Sequence, residues 1–207
     1  NMVGTFNQPR FVICDVGMLA TLSEREFRTG LAEMIKAGVI ADTQLFERLE
    51  TVTLQDLRTD RDLLSELVYR AIKVKADIVE RDERESGDRR KLNLGHTLAH
   101  AIEKSSSKMN HGEAVAGGLS LISEVAVRRG IMAEKDKQRI DNLLTKFGFS
   151  LCPPVEVRHL LREVKKDKKS EGDQIYIVFP KEIGSCRVEK MAIEDFVECF
   201  NKKREIN

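Results

Sequence analysis

Apolar residues recur at helical spacing along most of this chain, and interruptions in that rhythm mark where the helices begin and end. Leu31, Met34, Ile35 and Val39 follow a 3.6-residue stripe. Ser23, placed before Glu24, Arg25 and Glu26, supplies an N-cap with acidic residues in the first turn, so a helix is predicted from there to about Ile40. Asp42 opens a shorter helix through Phe46 and Leu49. From Asp60, the spacing of Leu63, Leu64, Leu67, Val68, Ala71, Ile72, Ala76 and Val79 predicts a long helix. A polar break at 84–88 precedes a helix expected over about 91–104, which sets His96 and His100 on one face. Gly112 stands at the mouth of the next helix, apolar almost all round over 114–121 and therefore expected at the centre of the fold. Two amphipathic helices follow, at about 133–147 and 155–166, divided by Pro153-Pro154.

Two other segments have a different pattern. Phe11, Val12, Ile13 and Cys14 form a short apolar run closed by Asp15 and Gly17, which predicts a strand followed by a loop. Segments 175–179 and 186–188 flank an Ile-Gly turn and predict a β-hairpin, after which a last helix runs over about 193–203. No internal repeat, low-complexity tract or linker divides the chain. The expectation is one mainly α domain over residues 1–207, with a short N-terminal strand and a small C-terminal hairpin.

Composition narrows the class of function. Hydrophobic residues make up 41% and charged residues 33%, enough for a core and too apolar for wholesale disorder. The 35 basic and 34 acidic side chains nearly cancel, leaving a formal charge of +1. That balance gives no global attraction to nucleic acid or to an anionic membrane, so any anion site is local. No apolar run reaches the roughly 18 residues of a membrane span, and no signal peptide is evident. Cys14, Cys152, Cys186 and Cys199 lack CxxC spacing and read as reduced thiols. A cytoplasmic protein is expected.

The chemistry concentrates in three stretches: Glu33 in GLAEMIK, His96 in LNLGHTLAH and His111 in NHGEAVAGG. One carboxylate and two neutral imidazoles make a set that holds a divalent metal and leaves a position open. A lone HxxxH is weak evidence, but three of the chain's four histidines fall within 96–111. His159, the fourth, lies on a polar face and reads as solvated. Glu33 sits in the apolar stretch LAEMI, where a carboxylate needs a partner: a buried ion pair with Lys36 or an arginine, or a metal. Lys36 shares its face, Lys75 interrupts the apolar period of the long helix, and Arg89 and Asn93 fall within two turns before His96. With His100 they could ring an anionic, hydroxylated ligand, arginine being suited to two-pronged oxyanion contacts. Lys165, Lys166, Lys168 and Lys169 read as a solubilising surface or as one phosphate contact. Gly117-Gly118 falls mid-helix and suits close helix packing. No Ser-His-Asp arrangement, P-loop or GxGxxG is present.

Taken together, GLAEMIK, DERESGDRRKLNLGHTLAHAIE and HGEAVAGG resemble the carboxy-terminal, metal-binding half of the 3-dehydroquinate synthase family. The opening NMVGTFNQPRFVICDVGMLATLSEREFRTG is similar to that family's stretch after its Gly-Lys-rich loop, and DKK at 167–169 and PKEIG at 180–184 to its terminal segment. The resemblance implies a multihelical domain in which Glu33, His96 and His111 bind zinc (or cobalt). It implies that Lys36, Lys75, Arg89, Asn93 and His100 contact substrate, that Lys168 (or Lys169) contacts phosphate, and that Asn1 touches substrate. Met18, Leu19, Ala20 and Thr21 would border NAD, with Thr21 the direct contact. The implied reaction turns the phosphorylated keto acid DAHP into 3-dehydroquinate and phosphate, a step of the shikimate pathway towards aromatic amino acids. It runs through transient oxidation by NAD, phosphate elimination, reduction and aldol closure, in a cytoplasmic enzyme that is a homodimer at full length. The family's preceding NAD-binding domain has no counterpart in this sequence, and Asn1 is an odd start. The expectation is therefore a truncated domain, inactive alone. Rival readings are another sugar-phosphate cyclase, a polyol- or iron-type dehydrogenase domain, and a non-catalytic metal-binding or oligomerisation module.

Overall fold

Ser23 starts the first long helix reciprocally: its hydroxyl accepts from the Glu26 amide, while the Glu26 carboxylate accepts from the Ser23 amide at 3.1 Å. That helix, α1 (Glu24–Ala41), ends at Asp42, which then caps α2 (Thr43–Thr51) by accepting from the Leu45 amide at 2.9 Å. A second Thr53–Asp56 capping box opens the short α3 (Leu54–Thr59), which the apolar period alone does not predict because it spans less than two turns. Asp60 caps α4 (Arg61–Arg81) as expected.

The computed structural model describes residues 9–84, 87–106, 108–152, 156–168 and 173–201, with backbone alone at 166–168 and 201. Asn1, Pro153-Pro154, Lys169, the middle of the 84–88 break and the expected end of the last helix lie outside the described residues, as does the side chain of Lys168. Beyond α4 the chain makes a 3-10 helix at Asp88–Asn93, then α5 (His96–Ser105), α6 (His111–Arg128), α7 (Glu134–Lys146) and α8 (Val157–Lys168). Strands β1 (Gln174–Glu182) and β2 (Ser185–Ala192) pair antiparallel about Ile183-Gly184, and α9 (Ile193–Asn201) follows. The hairpin is longer than its apolar runs suggest, because pairing continues through polar positions such as Tyr176↔Lys190. No described helix is long and apolar enough to cross a membrane.

Two expectations are corrected. Phe11, Val12, Ile13 and Cys14 form no strand: they lie outside any regular element and are exposed, Ile13 by 82%. A strand needs a ladder partner, and among the described residues β1 and β2 pair only with each other. The helix expected over 91–104 is also broken. Gly95 adopts φ +76°, outside the right-handed helical region, and separates the 3-10 turn from α5.

The core gathers around α1 and α6. Leu31, Ile35 and Val39 of α1 are buried, as are Ala114, Val115, Ala116 and Leu119 of α6, so the apolar 114–121 stretch is central as predicted. α5 lies against α6 at backbone range. A Cβ on Gly118 would stand 2.3 Å from the Gly95 carbonyl oxygen, and one on Gly95 would stand 2.9 Å from the Leu119 nitrogen. The glycine pair does serve packing, chiefly through Gly118.

Gly118→Ala should therefore destabilise the chain by about 1–3 kcal/mol through overpacking. Helix propensity alone would favour alanine by up to about 1 kcal/mol. A lower urea midpoint isolates the steric effect, and a raised one would contradict the close approach.

Candidate metal centre

Each of the three stretches singled out by sequence delivers one side chain to a common point. Glu33 lies mid-way along α1, His96 opens α5 and His111 opens α6. Asn110 and Glu113 form the capping box that starts α6 at His111. Arg25 on α1 grips Glu113 with a two-pronged contact at 2.8 and 2.7 Å. Gly112 lets the two helices touch there: a Cβ would stand 2.4 Å from Thr29 Cα. The glycine of HGE thus has a steric reason to be glycine, and its glutamate fixes the helix that carries the histidine.

Donor atoms of Glu33, His96 and His111 all lie within 4.8 Å of one another. Nε2 of His111 is 3.3 Å from Glu33 Oε1, and Nε2 of His96 is 3.5 Å from the same oxygen. Ligands about 2.0–2.1 Å from a tetrahedral ion are separated by about 3.3–3.4 Å, close to both distances from Glu33 Oε1 to the imidazoles. The other Glu33 oxygen, Oε2, takes the Lys36 ammonium at 2.7 Å. The ion pair therefore occupies one oxygen of the carboxylate and leaves the other facing the two imidazoles, so the two partners the sequence posed as alternatives for Glu33 are compatible.

Burial sets the protonation of this group. Lys36 is only 6% exposed and also donates to the Leu92 carbonyl at 2.9 Å. Burial, and then the nearby Lys75 charge, push its ammonium below the ordinary lysine range despite Glu33. Burial works against the Glu33 carboxylate too, yet the charge and hydrogen bond of Lys36 hold its carboxyl below the usual range. Burial together with Lys36 pushes His96 down to about 4, which leaves the imidazole neutral at physiological pH. Its Nδ1 faces the Leu94 carbonyl at 3.2 Å, so Nδ1 carries the proton and Nε2 presents a lone pair to the cluster.

The cluster forms one wall of a cleft of about 640 Å³. Lys36, Lys75, Arg89 and Asn93 line it together with Glu33, His96 and His111. Although Arg89 and Asn93 do not share a helix with His96, the 3-10 turn still brings them to the same cleft. Asp82, at the end of α4, ties that turn down by accepting from the Gly87 and Arg89 amides at 2.7 and 2.9 Å. The neighbouring Arg90 stacks 3.7 Å from the Tyr176 ring centre on the hairpin, so one arginine anchors the turn while the next lines the cleft. His100 is exposed beside His96, ring centres 5.7 Å apart, and is not among the lining residues. His159 is exposed, as expected. Met18, Leu19, Ala20 and Thr21 belong to a different place: they form a 3-10 helix at Val16–Thr21, where Leu19 and Ala20 line a separate cavity of about 320 Å³. Sequence reasoning missed Asp82 and Glu103, the latter 3.1 Å from His111 Nδ1, because nothing in their spacing links them to the histidines.

Comparison with known proteins gives a consistent picture. Residues 30–170 match the family model described as 3-dehydroquinate synthase C-terminal. The 3-dehydroquinate synthase of Dictyoglomus thermophilum is 40% identical over 203 residues, covering 97% of this chain and 57% of that protein. Its counterpart in Pelobacter propionicus is 42% identical over 200 residues, covering 95% and 56%. The chain thus spans just over half the length of these curated relatives. Among solved structures, 2-epi-5-epi-valiolone synthase from Streptomyces hygroscopicus subsp. jinggangensis 5008, with NAD+ and Zn2+ bound, matches with a TM-score of 0.76 at 26% identity, over 90% of this chain and 54% of that one. A 2-deoxy-scyllo-inosose synthase complexed with carbaglucose-6-phosphate, NAD+ and Co2+ matches with a TM-score of 0.78 at 22% identity, over 96% and 58%, a likeness of fold alone.

Because folded His96 refuses a proton that the unfolded chain accepts near 6.5, its stabilising contribution is complete above 6.5 and declines as pH falls towards about 4. Metal-free protein should therefore lose stability relative to His96→Gln across that window, measured by chemical denaturation. A difference that does not change with pH would contradict the burial of a neutral ring.

Proposed function

The chain belongs to the 3-dehydroquinate synthase family, and on that premise we propose that it is the metal- and substrate-binding portion of an enzyme converting DAHP to 3-dehydroquinate and phosphate. The observation that carries this reading is the convergence of Glu33, His96 and His111 on a wall of the cleft lined by Lys36, Lys75 and Arg89. A cation site beside three basic side chains suits a small molecule that offers both oxygen ligands and negative charge.

Zinc or cobalt held by those three residues would supply Lewis acidity, polarising a substrate oxygen and acidifying the C–H beside it. NAD, held mainly by the remainder of the full-length protein, would supply hydride transfer. The chain's own residues position and neutralise. His96 offers Nε2 as a neutral donor because its buried ring stays unprotonated. Arg89 presents a planar fork to a carboxylate or phosphate, and Lys36 and Lys75 add charge close to the carboxylate of Glu33. Asn93 offers an amide to substrate hydroxyls from the same wall. We assign His100 to the rim, Lys168 to a phosphate contact, and Met18, Leu19, Ala20 and Thr21 to the border of the dinucleotide site. A structural metal is ordinarily closed by a fourth protein ligand; the cluster has three among the described residues, which supports an open, catalytic position over a non-catalytic module. Identity of 40–42% to 3-dehydroquinate synthases, against 26% to the valiolone synthase, supports this branch over another sugar-phosphate cyclase. At full length we propose a cytoplasmic homodimer.

The purified 207-residue chain should retain about one zinc per chain without turning over DAHP by itself, and His96→Ala should abolish that retention. Equal zinc in variant and parent by elemental analysis, or turnover by the parent chain alone, would contradict the assignment. In the full-length enzyme, Arg89→Lys should weaken a phosphonate substrate analogue by about tenfold, roughly one charge-assisted hydrogen bond, with metal content unchanged. Calorimetric titration checks it, and loss of metal in that variant would mark Arg89 as structural instead.

A further inference from the structure

The two imidazoles of the cluster are held in unequal ways. The His96 side chain is 15% exposed, walled in by the core, and its Nδ1 is fixed by a backbone carbonyl. The His111 side chain is 44% exposed, so packing alone leaves its ring free to turn. What it has instead is Glu103: Oε1 of that residue lies 3.1 Å from His111 Nδ1, opposite the edge that faces Glu33.

The placement follows from α5. His96 is its first residue and Glu103 lies seven further on, two turns along the same face, with His100 between them. One helix therefore contributes an imidazole directly, at its N-terminal end, and near its C-terminal end a carboxylate that reaches the other imidazole. The start of α6 comes back beside α5, so that His111 lies next to both.

We infer that Glu103 is a positioning residue of the metal centre, its carboxylate accepting from Nδ1–H of His111 and so fixing the tautomer and ring orientation that turn Nε2 towards Glu33. The inference rests on the metal-site reading above but concerns a residue that itself touches neither ion nor substrate. A carboxylate on the far nitrogen raises the basicity of a ligand imidazole and removes the ring-flipped and Nε2–H alternatives, and loss of such partners typically weakens metal binding about 10–100-fold. A carboxylate serving only to tie α5 to the start of α6 would influence unfolding and leave the ring nitrogens indifferent.

The test uses the 207-residue chain with Glu103→Ala and the isosteric Glu103→Gln. Zinc affinity is measured by chelator competition, and the His111 ring nitrogens of the metal-free chain are read by 15N–1H correlation at slightly alkaline pH. The expected result is zinc binding about 10–100-fold weaker in Glu103→Ala and less affected in Glu103→Gln, with His111 of the metal-free chain shifting in the alanine variant from the Nδ1–H form towards the Nε2–H form, for which Glu33 Oε1 at 3.3 Å is the remaining acceptor. Unchanged affinity, or an unchanged tautomer in Glu103→Ala, would overturn the inference. Should the parent chain take up no zinc, the metal reading fails, while the ring spectra still decide the role of Glu103. Glu103→Gln keeps the size and polarity of the site, so the comparison survives even if the alanine variant folds poorly.

Discussion

Three helices must approach one another more closely than side chains ordinarily permit before one carboxylate and two imidazoles can share a point in space. The chain meets that constraint with hydrogen atoms in place of side chains. Gly112 lets the start of α6 rest on Thr29 of α1, and Gly118 lets the middle of α6 rest on the Gly95 carbonyl that precedes α5. Each contact lies within a few residues of a member of the cluster. Glycines at these positions would be poor choices for helix propensity alone, and their placement makes sense only as spacing for Glu33, His96 and His111.

Charge then completes what packing begins. A buried lysine is costly unless it is paired, and half-buried Glu33 pairs with Lys36 through a single oxygen, with the Leu92 carbonyl taking another Lys36 hydrogen. The remaining Glu33 oxygen is left facing two ring nitrogens. Lys36 thereby belongs both to the support of the cluster and to the cationic lining of the cleft. The same economy appears in the 3-10 turn, where Arg90 fastens to Tyr176 and leaves Arg89 beside the cleft.

Much of this was legible in the sequence because it follows local rules. The Ser23 and Asp60 caps, the apolar periods of α1 and α4, and the all-round apolarity of α6 each fix an element without knowledge of its neighbours. The convergence of Glu33, His96 and His111 was legible because rare residue types cluster: three histidines within a short span and a carboxylate in an apolar stretch. What was not legible depends on distant partners. The run Phe11, Val12 and Ile13 has the composition of a strand, but a strand exists only where a second one lies alongside. The break before α5 hangs on Gly95, which takes a left-handed backbone and leaves no room for a Cβ against Leu119, twenty-four residues away. Glu103 and Asp82 look like ordinary surface acids until the fold shows what they hold.

X-ray absorption at the metal edge of the zinc- or cobalt-loaded chain is the decisive measurement for the meeting of Glu33, His96 and His111 on one ion, since it reports the donor atoms themselves. One carboxylate and two imidazoles around the ion should give a shell of light oxygen and nitrogen scatterers at about 2.0–2.1 Å, with the outer-shell signature of two imidazoles and at least one exchangeable position. A sulfur shell at about 2.3 Å, or a spectrum without imidazole, would contradict it.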